Sequence, residues 1–564
     1  MIKIKSYLFP ILLIIFSLFA VKALFHPGFY TSHDGGHQIM RLVYFHQGLV
    51  DGQFPVRWAG NALDSYGYPL FIFTYRLPFW IAEIWYLLFH SLAGAIKFAF
   101  IASFVISSLT MYWLLLRLSK SKIAAFTGSM VYLWAPYRFV DIFVRAALGE
   151  AFTFIFAPLM FLGLFELSHS KKIKEQIKWG LVLALGITGM VLSHSMTLVL
   201  FIFPLLLWFL LWLLKSKSKL RYIGTTVVSG LLSLGLTAYY WFPAFYERKF
   251  TIVSDVLGAY YKDHFVTFTQ LLRSTWLYGF SMPGTADDMM SFQVGYAQWG
   301  IAALAFTTIL LFLVRSKLKS FITLGFQQLL ILVYSLLVFG IAIMLMLPSG
   351  EPFFDFLSKV VAIDLPWKFL EVTTFSAALL ITVIVQIITK KWLQTFCVIG
   401  IVALALVGNR HHLRVNQYTF MPDSDYFAST ETSNQYEDYR PKEFDQNLSQ
   451  KDPLVQVLSG QAQTSDVYNK SNQLSFTAQV ASDGAKLGLK KAYYPGWQIK
   501  VDEQAQTLNQ EQGRLVVSLN QGKHHVVAIF TNTSWRQVVD LVSLLTLLGV
   551  TFTVLILWLR KKQK

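Results

Sequence analysis

The chain has 564 residues, of which 55% are hydrophobic, 16% aromatic and only 14% charged. That composition excludes an ordinary soluble enzyme and marks a polytopic α-helical membrane protein. Lys and Arg outnumber Asp and Glu by 48 to 31, a net charge of +17, but the cations cluster between apolar runs. The charge therefore reports topology and attraction to anionic lipid rather than nucleic acid. The single Cys397 lies in an apolar run, so no intrachain disulfide and no cysteine-based metal site is expected.

The basic segment from Met1 to Lys5 leads into an apolar span over 7–25 with no small-residue cleavage site, read as an uncleaved first helix. A polar stretch follows. Residues 72–93 are apolar but carry Arg76, Pro78 and Glu83, so this segment is expected to lie at the interface or re-enter rather than cross. Further spans are expected at 97–117, 123–136, 151–167, 180–193, 197–214, 222–242, 297–314, 327–347, 371–389, 393–408 and 536–559. With the first they make about twelve crossings, which puts every basic cluster, Arg315 to Lys319 among them, on one cytoplasmic side with both termini. The extracytoplasmic side then holds 26–96, 137–150, 243–296, 348–370 and 409–535. The expected domains are a transmembrane domain over 1–408, a β-rich outer domain over 409–535, and a final helix with a basic tail over 536–564. Within the second, apolar residues alternate over 474–480, 496–501, 514–519 and 525–530, separated by Asp483-Gly484, Gln512-Gly513 and Gln521-Gly522. This is the pattern of a small antiparallel β-sandwich.

Immediately after the first span the chain reads His33-Asp34-Gly35-Gly36-His37-Gln38-Ile39-Met40-Arg41. Ionisable groups beside hydrocarbon are costly unless paired, wet or working. Asp34, Gln38 and Arg41 fall on one face if the segment is helical. Arg57 beside Trp58 suits a phosphate with a stacking surface, although Trp58, Tyr66 and Tyr68 equally suit an interfacial aromatic belt. In the second outer loop Asp141 and Arg145 form an i,i+4 pair, and Glu150 opens the next span, where the helix dipole favours an acid. The functional alternative has Asp141 and Glu150 facing Asp34 as metal ligands or acceptor-binding groups. His194 occupies a tight turn, as a satisfied loop histidine or a ligand for phosphate or hydroxyl. Lys368, near Glu371, either snorkels or clamps a phosphate. No zinc-spaced histidine run and no Gly-rich phosphate loop is present. Helix centres are nearly free of the charges a transporter needs. The distribution fits an enzyme that takes a lipid-borne substrate from the leaflet.

The acid after the first span, the amphipathic first loop, the acid near the span after the second loop, and the β-rich C-terminal region resemble the GT-C class of membrane glycosyltransferases. The stretches His33-Asp34-Gly35-Gly36-His37, Gly67-Tyr68-Pro69, Ala135-Pro136-Tyr137-Arg138, Arg145 to Glu150, Pro366-Trp367-Lys368 and Tyr493-Tyr494-Pro495-Gly496-Trp497 resemble the bacterial YfhO-like proteins and the membrane family termed 6-pyruvoyl-tetrahydropterin synthase-related. The resemblance implies inverting transfer from a polyprenyl-phosphate sugar to an envelope glycopolymer or glycolipid, such as a teichoic acid, at the outer face of a bacterial plasma membrane. It makes 1–408 the catalytic domain and Asp34 the general base or the group that orients the acceptor. Phosphate or substrate binding then falls to His33, His37, Arg41, Arg57, Trp58, Arg145, His194 and Lys368, where fixed cations meet developing negative charge. Asp141 and Glu150 would hold the acceptor or a divalent cation, Mg or Mn. Asp34 is followed by Gly35, where many GT-C sites carry an acidic pair. Two rivals follow from the same text: a flippase for lipid-linked sugars, which needs charges at mid-membrane, and a non-catalytic envelope scaffold, for which Asp34 is dispensable.

Overall fold

The computed structural model describes residues 4–562 apart from 254–259, 285–287, 314–321, 360–364 and 432–438; the expected basic cluster Arg315 to Lys319 lies outside the described residues. Among the described residues nine helices are long and apolar enough to cross a membrane. Two of them, Leu148–His169 and Pro366–Ile387, are buried along almost their whole apolar length and form the centre of the bundle. They are apolar all round, as helices without a lipid face are. Several of their polar side chains are satisfied locally: the hydroxyl of Thr382 donates to the Ala378 carbonyl, and that of Thr153 to Glu371. At the other extreme, only 6% of the apolar window of Ser534–Leu559 is buried inside the protein.

The segment Ile173–Lys215 is two helices, not one. His194 has φ −162° and ψ 95°, outside the helical region, and the chain reverses there. Before the break, Leu183 lies against Gly163 and the Ser193 carbonyl against Gly149. After it, Phe201 packs on Phe161 and Trp212 on Phe165. The two arms therefore run along Leu148–His169 in opposite directions, with His194 at the tip. Counting both arms turns nine helices into ten. The two other expected spans correspond to shorter helices, Ile4–Ala20 with 17 residues and Lys122–Leu133 with 12.

Local chemistry explains where the elements are shorter than the sequence pattern. Leu77–Phe89 has 13 residues, roughly 20 Å at 1.5 Å per residue, too short for a hydrocarbon core of about 30 Å. Lys122–Leu133 stops before Pro136, which has no N–H to continue the ladder. The chain then makes a single helical turn, Pro136–Phe139, and one wide π-type stretch, Val140–Arg145, a local departure that repositions side chains.

Two antiparallel sheets occupy the C-terminal region. One has Val455–Ser459, Ala485–Ala492, Arg514–Leu519 and Asn509–Glu511 as consecutive neighbours. The other runs Ala462–Lys470, Gln473–Val480, Gly522–Phe530, Trp497–Val501 and Gln504–Gln506. Alternation buries Leu474, Phe476, Leu487, Leu515, Val526 and Ala528. The turn between Asn509–Glu511 and Arg514–Leu519 places Gly513 at φ +74° with the Glu443 carbonyl where a Cβ would sit, so glycine is required there. The region before Val455 does not belong to the sheets. It wraps back on the first loop: Tyr418–Thr419 pairs with Phe29–Tyr30, and Tyr44 Oη donates to the Glu431 carbonyl.

A polar joint fastens the sheets to the bundle. Arg536 donates Nε and Nη2 to Glu247 at 2.7 and 2.6 Å, with both side chains fully buried. Tyr494 Oη donates to Glu247 at 3.0 Å, and the Pro495 carbonyl accepts from Arg536 at 2.9 Å. Arg57 donates to Asp540 at 2.6 and 3.2 Å and to Asn532 at 2.7 Å. Trp58 packs on Phe530, Trp497 and Tyr494.

Candidate functional site

The helix Gly35–Val50 begins at Asp34, and two backbone bonds fix that start. The N–H of His33 donates to the Val144 carbonyl at 3.0 Å, and that of Asp34 to the Arg145 carbonyl at 2.9 Å. The first and second loops are thus laced together at the two residues that carry opposite charges. No hydrogen bond to the Asp34 carboxylate is formed by the described residues, and it does not cap its own helix. Gln38 and Arg41 follow on the same face, as their spacing predicts. Gln38 accepts from Tyr75 Oη at 3.2 Å and donates to the Ala146 carbonyl at 3.3 Å.

Arg145 ends the π-type stretch. Ala146 then adopts φ +52°, and the reversal points Glu150, in the first turn of Leu148–His169, back at Arg145. Glu150 accepts two bonds from the guanidinium at 2.6 and 2.8 Å, one from Tyr137 at 3.0 Å, and the Lys368 ammonium at 2.6 Å. Arg145 also rests over the Trp367 ring, 4.8 Å from its centroid. Burial disfavours the Arg145 charge, yet the Glu150 carboxylate beside it holds the guanidinium above its ordinary range. Asp141 lies beneath, fully buried and 3.4 Å from Arg145. Burial first, and the neighbouring Glu150 charge second, push the Asp141 carboxyl well above the usual carboxylate range.

These residues surround one cavity of about 230 Å³. Its charged wall carries Asp34, Arg41, Arg145, Glu150 and Lys368, with His194 entering from the hairpin tip, where its Nδ1 pairs with Thr197 Oγ1 at 2.9 Å. Four aromatic side chains complete the lining: Phe73, Tyr75, Tyr240 and Tyr439. Tyr439 stacks on Phe73 at 5.0 Å, and Tyr240 Oη donates to the Phe73 carbonyl at 3.0 Å. Charged and aromatic side chains around one small cavity have the chemistry to hold a small anion beside an apolar or sugar-like ring.

The structure brings six of the expected site residues to this cavity and leaves five outside its lining. His33 donates Nε2–H to the Gly279 carbonyl at 2.9 Å and stacks on Phe280. Burial, and then Arg145, lower its proton affinity. His37 is half-buried, and burial followed by the Arg41 charge does the same to it. Asp141 is sealed under Arg145. Arg57 and Trp58, read from the sequence as a phosphate and stacking pair, sit in the polar joint: both terminal guanidinium nitrogens of Arg57 are held by Asp540 and Asn532, and Trp58 is fully buried. The sequence reading missed the aromatic lining. Its only local signal is Thr74-Tyr75-Arg76, which interrupts an apolar run. A resident divalent cation does not fit this donor set. Glu150 is already occupied by two cations, and among the described residues no three His, Cys, Asp or Glu side chains converge.

No protein-family model matches the chain. It is 25% identical over 261 residues to an uncharacterized protein of Lactococcus lactis subsp. cremoris (strain MG1363), covering 44% of this chain and 41% of that protein; the match thus spans less than half the length of that relative. The crystal structure of ArnT from Cupriavidus metallidurans bound to undecaprenyl phosphate aligns with 72% of this chain and 78% of its own at 12% identity, with a TM-score of 0.29. An overlap that low carries no argument about this chain.

Proposed function

We propose that this chain is a membrane glycosyltransferase that moves one sugar from a polyprenyl-phosphate donor to an acceptor hydroxyl of an envelope glycopolymer or glycolipid at the extracytoplasmic face. The observation that supports it is the convergence of Asp34, Arg41, Arg145, His194 and Lys368, drawn from distant segments, on one small cavity with an aromatic lining.

In this reading the acceptor oxygen bonds to the anomeric carbon while the carbon–oxygen bond to phosphate breaks. The electron pair of that bond goes to the phosphate, and the hydroxyl proton goes to Asp34. Asp34 is suited to the role because its carboxylate is not consumed by an internal partner among the described residues, whereas Glu150 is consumed by Arg145 and Lys368. A positioned proton acceptor contributes about 10²–10⁴-fold. Arg145, Lys368, Arg41 and His194 hold the phosphate as its charge develops, where preorganised cations are most effective. Phe73 and Tyr439 present the flat face on which a sugar ring stacks.

The test is transfer from radiolabelled polyprenyl-phosphate hexoses to a crude envelope acceptor by the purified protein in nanodiscs, with the Asp34→Asn variant alongside. Transfer that depends on Asp34 supports the enzyme. Donor movement across a sealed bilayer with no transfer would replace this reading with a flippase.

A further inference from the structure

A second cavity lies at the opposite end of the bundle. It is a groove of about 780 Å³ between the first arm of the hairpin, the helix Lys219–Glu247 and the final helix Ser534–Lys562. Ile177 on its wall is 17 residues before His194, roughly 25 Å along the helix, so the groove is separate from the charged cavity.

The groove exists because the final helix packs by its upper half alone. There Ser543 Oγ donates to the Gly235 carbonyl at 2.8 Å and accepts from the Tyr239 N–H at 3.0 Å. Beyond that contact the helices part. Leu545, Val550, Val228 and Leu232 face open space, and nothing lies within 4 Å of where a Cβ would sit on Gly224 or Gly549. Along its own axis the lining runs over Gly224–Leu232, eight steps, about 12 Å and close to one leaflet's hydrocarbon depth of about 15 Å.

One end of the groove is cationic. Arg221 lines it and donates Nη1 to the Lys171 carbonyl at 3.1 Å, which fixes the guanidinium at the rim. Exposed Lys172, Lys174, Lys217 and Lys219 flank it, with Glu175 the acid among them. Apolar walls of leaflet depth that end in fixed positive charge match one ligand chemistry: an acyl chain carrying an anionic headgroup. A zwitterionic lipid would bring its own ammonium to the same cations.

We infer that this groove binds an anionic glycerophospholipid, its acyl chain along Gly224 and Gly549 and its phosphate at Arg221. The full-length protein, stripped of lipid in detergent, is titrated with phosphatidylglycerol and with phosphatidylcholine of the same acyl chains, and occupancy is read by native mass spectrometry. Phosphatidylglycerol should bind more tightly. Arg221→Gln should weaken it about fivefold, the worth of one cation at a lipid surface. Gly549→Leu, which fills the groove without touching the basic rim, should reduce occupancy by both lipids while the protein still elutes as a folded species. Equal binding of the two lipids overturns the inference, as does phosphatidylglycerol binding that neither variant changes. So does displacement of phosphatidylglycerol by equimolar undecaprenyl phosphate, which makes the groove a carrier-lipid site, or a dimer that is lost in Gly549→Leu, which makes it a contact between copies.

Discussion

Two buried ionic clusters lie on either side of the first loop, and they use the same residue types. At the joint, Glu247 is shared by Arg536, Tyr494 and Trp535. At the cavity, Glu150 is shared by Arg145, Lys368 and Tyr137. Both acids are saturated, and both are approached by an arginine with two bonds. The difference lies in what stands next to them. The Arg536 guanidinium packs against the rings of Phe530 and Tyr494 with no space left over, whereas Arg145 borders an open volume that also receives Asp34. What sets the cavity cluster apart from the joint is the empty volume and the spare acid beside it, not its ion pairs.

That contrast can be broken from either side. The largest effect is expected at the joint. Glu247→Ala leaves Arg536 buried without its partner, and loss of about 3–5 kcal/mol is expected, read as a fall in the thermal unfolding midpoint of the purified protein. Asp34→Asn should do the reverse: transfer falls by about 10²-fold or more while the unfolding midpoint stays at the wild-type value. A loss of fold in Asp34→Asn, or full turnover, would place Asp34 with the joint rather than with the chemistry.

Next in size is Lys491, fully buried near the end of the strand Ala485–Ala492, where it donates to the Lys470 carbonyl at 3.2 Å. Burial pushes its proton affinity down to about 7, against the opposing pull of Asp51. The unfolded chain keeps this lysine protonated to about pH 10.4, so between pH 7 and 10.4 it binds more protons than the folded protein does. Stability therefore rises with pH across that window, and the penalty is full below pH 7. Lys491→Met should stabilise the protein by about 2 kcal/mol at pH 6.5, with the advantage shrinking towards pH 10. A midpoint difference that does not change with pH would refute it. The smallest effect is expected for Lys368→Gln. Arg145 still holds Glu150, so the fold survives, and the KM for donor should rise about tenfold, the worth of one charge-assisted bond.

Legibility in the sequence followed the range of the interaction. Asp34, Gln38 and Arg41 were readable together because helical spacing is local, and the hairpin tip at His194 because Ser-His-Ser interrupts two apolar runs. The alternating strands at 474–480 and 514–519 were readable for the same reason. Arg57 was not, because the acid that pairs with it lies 483 residues away. Tyr439 and Tyr240 reach the cavity from segments far apart in the chain, and nothing in their own neighbourhoods separates them from ordinary interfacial aromatics. The break in the expected span over 123–136 came from backbone chemistry at Pro136, which a count of apolar residues does not weigh.

The spacing of the two clusters along the chain also sets an order of events during synthesis. Arg145 and Glu150 are five residues apart, so each neutralises the other as soon as their segment leaves the ribosome, long before Lys368 exists. Glu247 must wait 289 residues for Arg536. A nascent chain that has inserted the helix Lys219–Glu247 therefore carries an uncompensated acid until Arg536 arrives. The cost of burying an unpaired charge then acts as a checkpoint: the helix that ends in Glu247 gains its buried partner only once Arg536 has been made.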